Sequence, residues 1–518
     1  MTDLDESLQF ALDRFQAGRI SEAAATCQTI LDADPENAAA LNLMAVIALE
    51  VGQGATAIDL AERAVALQPD VPGHYNVLGI ALSQSTRAAE AEAVFRKALV
   101  LAPAMSPNSF DLGASLANHF RRHGQHEAAL GELQRLTDIH AARPELFLNL
   151  GNTLREMDRL EDAAEAYGRA IDLAPNDYQG YQNLGVVRVD QGDHHNAMAP
   201  FARALEIKRA VGSEQNPAAG DFDRASATKL RHDRDQIRHL VERDILPRDG
   251  LAMAEAYDAV LNDLMAAGKQ QELVPLTKEQ QSAIGGYYNR LVHYDPPNAL
   301  PGGALNTNLD FARIAQDYHQ SKPNLAVFDD FLQPEALDAL YRFCLESTIW
   351  FDVHHPQGYL GAHIEEGFAT PLVLQIADEL RACFPDVIGP HELRKVWAYK
   401  YDSDQQAIRV HADEAAVNVN FWITPDGANQ DPDSGGLIVH THTAPLSWDF
   451  HKYNDDEQAI RNFLASADNE PITVAHRQNR VVMFDSNALH ESDHFHFGDR
   501  YIDRRINITM LFGHRGKA

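Results

Sequence analysis

The stretch from Arg409 to Thr424, RVHADEAAVNVNFWIT, sets His411 and Asp413 two positions apart at the start of an apolar, β-branched run. Imidazole and carboxylate are both ordinary ligands of divalent metals. In an extended chain alternate side chains share a face, so a pair at this spacing can meet one ion. The triplet alone is not diagnostic. With 24 His and 75 Asp plus Glu in the chain, about one or two His-x-Asp triplets arise by chance. A second one, His293-Tyr-Asp295, runs into Pro296-Pro297 and reads as a turn or extended linker.

A facial metal site needs a third ligand from elsewhere. The segment from Ile472 to His490 offers one: a turn at Gln478-Asn479, a strand over Arg480–Phe484, and a short loop ending in His490. His494 and His496 follow in HESDHFHF and compete with it. Two histidines and one carboxylate leave open positions on the ion, the arrangement associated with non-haem Fe(II) oxygenases. An iron of that type needs an electron-rich co-substrate, and a keto acid needs a cation opposite its far carboxylate. Arg505 opens the strand RINITMLF, in which Arg505, Asn507 and Thr509 share one face and Ile506, Ile508, Met510 and Phe512 the other. A guanidinium on the polar face suits bidentate capture of a carboxylate. Arg504 competes, but falls in the phase of the apolar face.

These residues need a sheet to hold them. Candidate strands are Arg394–Tyr401, Ala407–Asp413, Val417–Thr424, Gly436–His440, Ile472–Ala475, Arg480–Phe484 and Arg505–Phe512, separated by Asp, Gly, Asn and Pro turns. Short strands without helical crossovers predict an antiparallel sandwich or barrel. Ahead of them, Leu325–Phe328 reads as a short strand, and Pro334 opens a helix with Leu337, Leu340, Tyr341, Cys344 and Leu345 on one face. Asn418 and Asn420 share a face and are candidates for polar groups in the interior. His440 and His442 are candidates for the substrate mouth or for a solvated loop.

His-x-Asp, a distant His after RVVMFDSNALHES, and an Arg-x-Asn-x-Thr strand resemble the Fe(II)/2-oxoglutarate dioxygenases, specifically the prolyl 4-hydroxylase-like branch. LAVFDDFLQPEALDAL and GGLIVH add to the resemblance, which covers about residues 324–518. It implies a double-stranded β-helix (jelly-roll) in which His411, Asp413 and His490 bind Fe(II) and Arg505 binds the 2-oxoglutarate C5 carboxylate. Tyr401, ten residues before His411, matches a tyrosine that often contacts the co-substrate, and is equally readable as core packing. The resemblance also implies hydroxylation of a substrate C–H, with ascorbate as an accessory reductant. Related halogenases carry a small residue in place of the carboxylate, whereas Asp413 is present here.

The first two hundred residues repeat. Ala23, Ala57 and Ala91 are 34 residues apart, as are Ala45, Gly79 and Gly113, and Pro35, Pro69 and Pro103. After an insertion of about four residues near Ala117–Phe120 the phase resumes with Gly151 and Gly185, Ala163 and Ala197, Ala170 and Ala204, giving about six units. Each unit reads as two antiparallel helices. Small residues sit at the crossing, Phe95, Tyr167 and Phe201 fill the gap between units, and a proline ends each second helix. LNLGNTLREMDRLEDAAEAYGRAIDLAPN resembles the tetratricopeptide repeat, which implies an all-α superhelix whose concave groove binds a protein or peptide. His119 and His194-His195 read as turn or solvent-facing positions of the array.

Past Ala210 the period is lost. Gly212–Gly220 is a linker by composition, followed by polar helices from Ala225 to about Leu246 and from about Leu251 to Ala267. The expected organisation is a repeat domain over 1–212, a helical linker region over 213–303 and the dioxygenase-like domain with flanking helices over 304–518. A net charge of −31 argues against tracking a phosphate backbone or lying on an anionic membrane. Three scattered cysteines form no disulfide framework. The acidic start MTDLDESLQF carries no signal-peptide pattern, and no run of about 18 apolar residues occurs. The expectation is a cytoplasmic protein.

Overall fold

The computed structural model describes residues 3–16, 18–103, 106–210, 222–269, 272–352, 358–402, 408–465 and 469–516. The chain separates into two compact units, Met1–Leu184 and Gly185–Ala518. The linker expected over Gly212–Gly220 lies outside the described residues.

The first unit is a run of helical hairpins. They are α1 (Asp3–Gln16), α2 (Ile20–Ala33), α3 (Ala38–Glu50), α4 (Gly54–Leu67), α5 (Pro72–Ser83), α6 (Ala88–Leu101), α7 (Pro107–Arg122), α8 (His126–His140), α9 (Pro144–Glu156) and α10 (Leu160–Leu173). The division falls inside α11 (Tyr178–Asp190), and α12 (His194–Arg209) belongs to the second unit. The extra residues near Ala117 lengthen α7 to 16 residues, against 12 for α5 and 13 for α9.

The repeating glycines mark close approach within a hairpin. A Cβ on Gly79 would lie 2.5 Å from the Phe95 ring, and one on Gly151 2.5 Å from the Tyr167 ring. The large aromatics therefore pack on the glycine of their own unit, because only a residue without a Cβ admits a ring at the helix crossing, and Phe95 also reaches His119 of the next hairpin, with ring centroids 6.1 Å apart. Two histidines expected at solvent-facing positions are buried. His119 bonds to Ser83 Oγ at 2.9 Å, and His194 Nδ1 lies 2.9 Å from Asp378. His195 is exposed.

The second unit continues with short pairing segments β1 (Arg224–Ala225) and β2 (Val274–Pro275) beside α13 (Ala227–Glu242), α14 (Gly250–Ala266) and α15 (Lys278–Ile284). Then come α16 (Phe311–Gln320), β3 (Leu325–Phe328), α17 (Pro334–Glu346), β4 (Tyr359–His363) and α18 (Pro371–Cys383). The remaining elements are β5 (Leu393–Tyr401), β6 (Val417–Trp422), β7 (Leu437–Thr443), α19 (Glu457–Ala465), β8 (Ile472–Val474), β9 (Val481–Asp485), β10 (Ala488–Ser492) and β11 (Ile506–Phe512). They form a six-stranded antiparallel sheet ordered β3-β9-β6-β11-β5-β4 and a three-stranded antiparallel sheet ordered β10-β7-β8.

Alternation on β6 and β11 explains how the larger sheet is covered on both faces. Val417, Val419, Phe421, Ile506, Ile508, Met510 and Phe512 join a core with Leu340 and Phe343 of α17 and Leu372, Ile376 and Leu380 of α18. Each such side chain contributes about 1.5–3 kcal/mol when fully buried. On the opposite face Trp422 and Phe484 meet Leu437, Val439, Val474 and Ala488 of the smaller sheet. Asn418 and Asn420 share that inward face, which opens into a cleft.

Two expectations change here. Residues 408–413 do not form a continuous strand; His411 makes a single bridge to His490. The Ala412 N–H donates instead to the Tyr453 carbonyl at 2.9 Å and the Asp413 N–H to Ser486 at 3.1 Å, so neighbouring loops replace a regular ladder. His490, expected at the end of a loop, lies within β10. Between β7 and β8, residues 444–465 include a π-turn (His451–Asp455) and α19. Trp448, Tyr453, Ile460 and Phe463 of this insert pack against Val410, Ala412 and Leu489.

Candidate metal centre

His411, Asp413 and His490 converge from the irregular segment before β6 and from β10. One ligand atom from each lies within 4.8 Å of the other two. His411 Nε2 stands 3.9 Å from Asp413 Oδ1, His490 Nε2 stands 3.4 Å from Asp413 Oδ2, and the two rings are 4.3 Å apart. Two ligands about 2.1 Å from one octahedral ion sit about 3 Å from each other, so a small inward movement brings these atoms into coordination.

The hydrogen bonds on the far side of each ring fix the tautomers. His411 Nδ1 lies 2.8 Å from the Arg409 carbonyl and His490 Nδ1 3.0 Å from the Ala488 carbonyl. A carbonyl only accepts, so both Nδ1 atoms carry the hydrogen and both Nε2 lone pairs face the carboxylate. Two lone pairs and an anion turned toward one another are unfavourable unless a cation, or a proton on one ring, lies among them. Burial and the neighbouring His490 push the His411 imidazole below its ordinary range, which keeps it a neutral donor. Burial pushes the Asp413 carboxyl up. The two imidazoles and the Asn418 amide outweigh that and hold it below the usual carboxylate range.

Asn418 donates from Nδ2 to Asp413 Oδ2 at 2.6 Å, orienting the carboxylate in the way ligand-supporting residues do. The Asn418 and Asn420 carbonyl oxygens are buried without a hydrogen-bond partner among the described residues. They line the same cleft as the triad, together with Trp397, Tyr399, Tyr401 and Arg505. A cleft with a few convergent polar groups is the usual form of a small-ligand site.

Arg505 lies just before β11 and is 2 % exposed. Its Nε donates to the Gly435 carbonyl at 2.7 Å, Nη2 to Gly436 at 3.1 Å and Nη1 to Asn507 Oδ1 at 3.3 Å. Neutral acceptors orient the guanidinium without cancelling its charge, and burial pushes its pKa down. The buried Tyr401 ring packs against it, 4.6 Å from the guanidinium carbon.

The competing residues lie elsewhere. His494 is exposed and pairs with Asp493 and Asp431, and His496 is also exposed. Arg504 bonds to Asp235 at 2.8 Å and Asp402 at 3.0 Å on the other side of the sheet. His440 is tied to Glu491 and Asn469, while His442 packs near Phe463. The chance twin is held through its backbone, with the His293 and Asp295 N–H groups donating to Thr348 and Ser347 hydroxyls. Trp397 and Tyr399 were not singled out from the sequence, although the i, i+2, i+4 spacing of Trp397, Tyr399 and Tyr401 on β5 places all three on the cleft face.

Comparison with known proteins bears on the helical repeats. The tetratricopeptide repeat family model matches residues 8–72, 42–109 and 148–211. The protein O-mannosyl-transferase TMTC1 of Mus musculus is 35% identical over 86 residues, covering 16% of this chain and 9% of that protein. Its Homo sapiens counterpart is 30% identical over 92 residues, 17% of this chain and 10% of that protein. The chain thus matches about a tenth of the length of these curated relatives. Among solved structures, the type IV pilus biogenesis factor PilW has a TM-score of 0.36 at 20% identity, covering 40% of this chain and 94% of that one. A thermophilic TPR protein of Thermus thermophilus, TTC0263, gives 0.32 at 22% identity, covering 38% and 99%. Among the described residues no helix is long and apolar enough to cross a membrane. The protein carries tetratricopeptide repeats, a scaffold that typically binds protein or peptide partners, in the residues that the family model matches.

Proposed function

We propose that the second unit is an Fe(II)- and 2-oxoglutarate-dependent dioxygenase with a double-stranded β-helix core, and that it hydroxylates a C–H of a protein or peptide recruited by the repeats. The observation that carries this reading is the convergence of His411, Asp413 and His490 with both Nε2 lone pairs turned toward the carboxylate. The donor set, two neutral imidazoles and one carboxylate, is that of a non-haem iron site with open positions.

When bound, iron and the keto acid together supply oxidative C–H hydroxylation, with the co-substrate ending as succinate and CO₂. This chain's residues bind and orient. Asn418 holds Asp413, and the Arg409 and Ala488 carbonyls hold the imidazole tautomers. Arg505 presents a positive charge, fixed by Gly435 and Gly436, to the far carboxylate of the keto acid, with Tyr401 packed beside it. Trp397, Tyr399 and Ile408 wall the cleft and limit water around the reacting groups. Proline is the leading substrate side chain, by resemblance to the prolyl 4-hydroxylase-like branch. A small metabolite or glycan is the alternative substrate class.

The purified chain, supplied with Fe(II), ascorbate and 2-oxoglutarate, is expected to form succinate above the level of a His411→Ala control. Equal turnover by the two proteins sinks the enzyme reading. What then remains is a repeat-based adaptor, the reading that the tetratricopeptide match supports by itself. Mass spectrometry of proteins captured by the iron-free form, searched for a gain of one oxygen after iron is added, separates a protein substrate from a small molecule.

A further inference from the structure

The segment that carries His411 and Asp413 has no regular ladder, so its position depends on whatever holds the loops that replace one. Two loops contribute. Tyr453 of the β7–β8 insert accepts the Ala412 N–H at 2.9 Å, and Ser486 of the β9–β10 turn accepts the Asp413 N–H at 3.1 Å. The insert and the turn touch where the Ala444 N–H donates to the Asn487 carbonyl at 2.7 Å. Both also meet Arg515, in the tail that follows β11.

Arg515 commits its whole guanidinium to that junction. Nε donates to Asn487 Oδ1 at 2.8 Å, Nη1 to the Trp448 carbonyl at 2.9 Å, and Nη2 to the carbonyls of Ala444 at 3.1 Å and Pro445 at 2.8 Å. Its Cζ lies 4.1 Å from the centre of the Tyr453 ring, a cation–π distance. Asn487 is itself fixed by Asp485, which accepts from its backbone N–H at 2.9 Å and from its amide at 3.1 Å. One planar fork thus joins the residue whose carbonyl holds the peptide between the two ligands to the turn that leads into β10 and His490.

We propose that Arg515 is a positioning residue for the metal centre, a clamp that locks the β7–β8 insert onto the β9–β10 turn and thereby sets the spacing of His411, Asp413 and His490. This rests on the metal reading given above, while the clamp itself is legible in the hydrogen bonds alone. Charge is not sufficient for the role. The four acceptors are neutral and spread around the edge of a plane, a pattern that a lysine ammonium cannot reproduce.

The test uses the full chain, with Arg515→Gln and Arg515→Lys, Asn487→Ala as a variant on the other side of the clamp, and His411→Ala as the site control. Co(II) is titrated by its visible absorption, and amide hydrogen exchange is followed by peptide. Arg515→Gln is expected to weaken Co(II) binding about tenfold or more, the usual consequence of losing a ligand-supporting contact. It is also expected to deprotect residues 408–413 and 485–490 while leaving 393–401 and 506–512 as in the wild type. Arg515→Lys should resemble Arg515→Gln in both readouts. Unchanged affinity and exchange in Arg515→Gln, or a lysine variant equal to wild type, overturns the clamp. If Arg515→Gln fails to fold, Arg515→Lys and Asn487→Ala decide: local deprotection with weaker Co(II) binding supports the clamp, and wild-type behaviour overturns it. If the wild type shows no Co(II) binding that depends on His411, the metal reading fails, and exchange at 408–413 alone decides whether Arg515 holds the segment.

Discussion

Asn418 Nδ2 lies 2.6 Å from Asp413 Oδ2, and the pair is buried at the floor of the cleft. An ionised carboxylate only accepts, so the amide nitrogen must face Asp413 and the amide oxygen must face away. The bond therefore fixes both groups: it restricts rotation of the carboxylate and leaves the Asn418 oxygen as a buried acceptor with no partner among the described residues. Asn418→Ala is expected to weaken metal binding by about tenfold, with little change in the secondary structure seen by circular dichroism. Titration with Mn(II), followed by electron paramagnetic resonance, checks it. Affinity equal to wild type would show that Asp413 needs no such support.

Arg505 carries a second prediction, in which binding and stability separate. Arg505→Met is expected to raise the KM for 2-oxoglutarate by about 10- to 100-fold, the loss of a charge-assisted bidentate contact worth about 1.5–3 kcal/mol, with metal affinity close to wild type. It also strips the Gly435 and Gly436 carbonyls of their donors, at a stability cost of about 1–3 kcal/mol. Arg504→Met, on the opposite side of the sheet against Asp235 and Asp402, should lower stability while leaving that KM unchanged. Steady-state kinetics and thermal melts on the two variants test the assignment.

The arrangement of these residues was unevenly legible in the sequence, for reasons that lie in the backbone. A strand has a two-residue period, so the phase of Arg505, Asn507 and Thr509 against Ile506, Ile508, Met510 and Phe512 was readable, as were the 34-residue repeat and the pairing of His411 with Asp413. His490 against His494 was not settled by counting, because the choice depends on β10 adding to the smaller sheet and turning His494 outward. The irregular course of 408–413 was hidden as well. Its N–H groups are satisfied by Tyr453 and Ser486, 41 and 73 residues further on, and no local pattern encodes such partners. The same limit conceals Arg515 and the hydrogen bond from Asn418 to Asp413.

The hairpins of the first unit make a packing prediction. A Cβ on Gly151 would fall 2.5 Å from the Tyr167 ring, well inside contact distance, while the Tyr167 hydroxyl is held by Asn152 Oδ1 at 2.7 Å. The ring is tethered at its far end and cannot simply swing away. Gly151→Ala is expected to destabilise the unit by about 1–3 kcal/mol through overpacking. Tyr167→Leu in the same chain should recover part of the loss, since the smaller side chain frees the space. A double-mutant cycle by urea unfolding, with a coupling energy near zero, would show that the two positions do not share the crossing.

The last prediction concerns pH. Asp329, in the turn after β3, accepts from Arg480 Nε at 2.6 Å and Nη2 at 3.1 Å, and from Arg477 Nη1 at 2.7 Å. The hydrogen bonds from Arg480, reinforced by both guanidinium charges, outweigh partial burial and hold its carboxyl below the usual range. A carboxyl whose folded pKa is depressed binds protons less readily than in the unfolded chain. Its stabilisation is therefore complete above the unfolded value of about 3.9 and is lost as pH falls through the folded value. Asp329→Asn should cost about 1 kcal/mol at pH 7, a modest figure because Arg477 and Arg480 are partly solvated and screened. The difference between variant and wild type should shrink as pH falls from about 4 toward the folded value, below which both chains carry a neutral group at this position. Urea unfolding midpoints measured between pH 7 and pH 3 test the sign directly, since a difference that grew on acidification would mean that Asp329 is not held ionised by the two arginines.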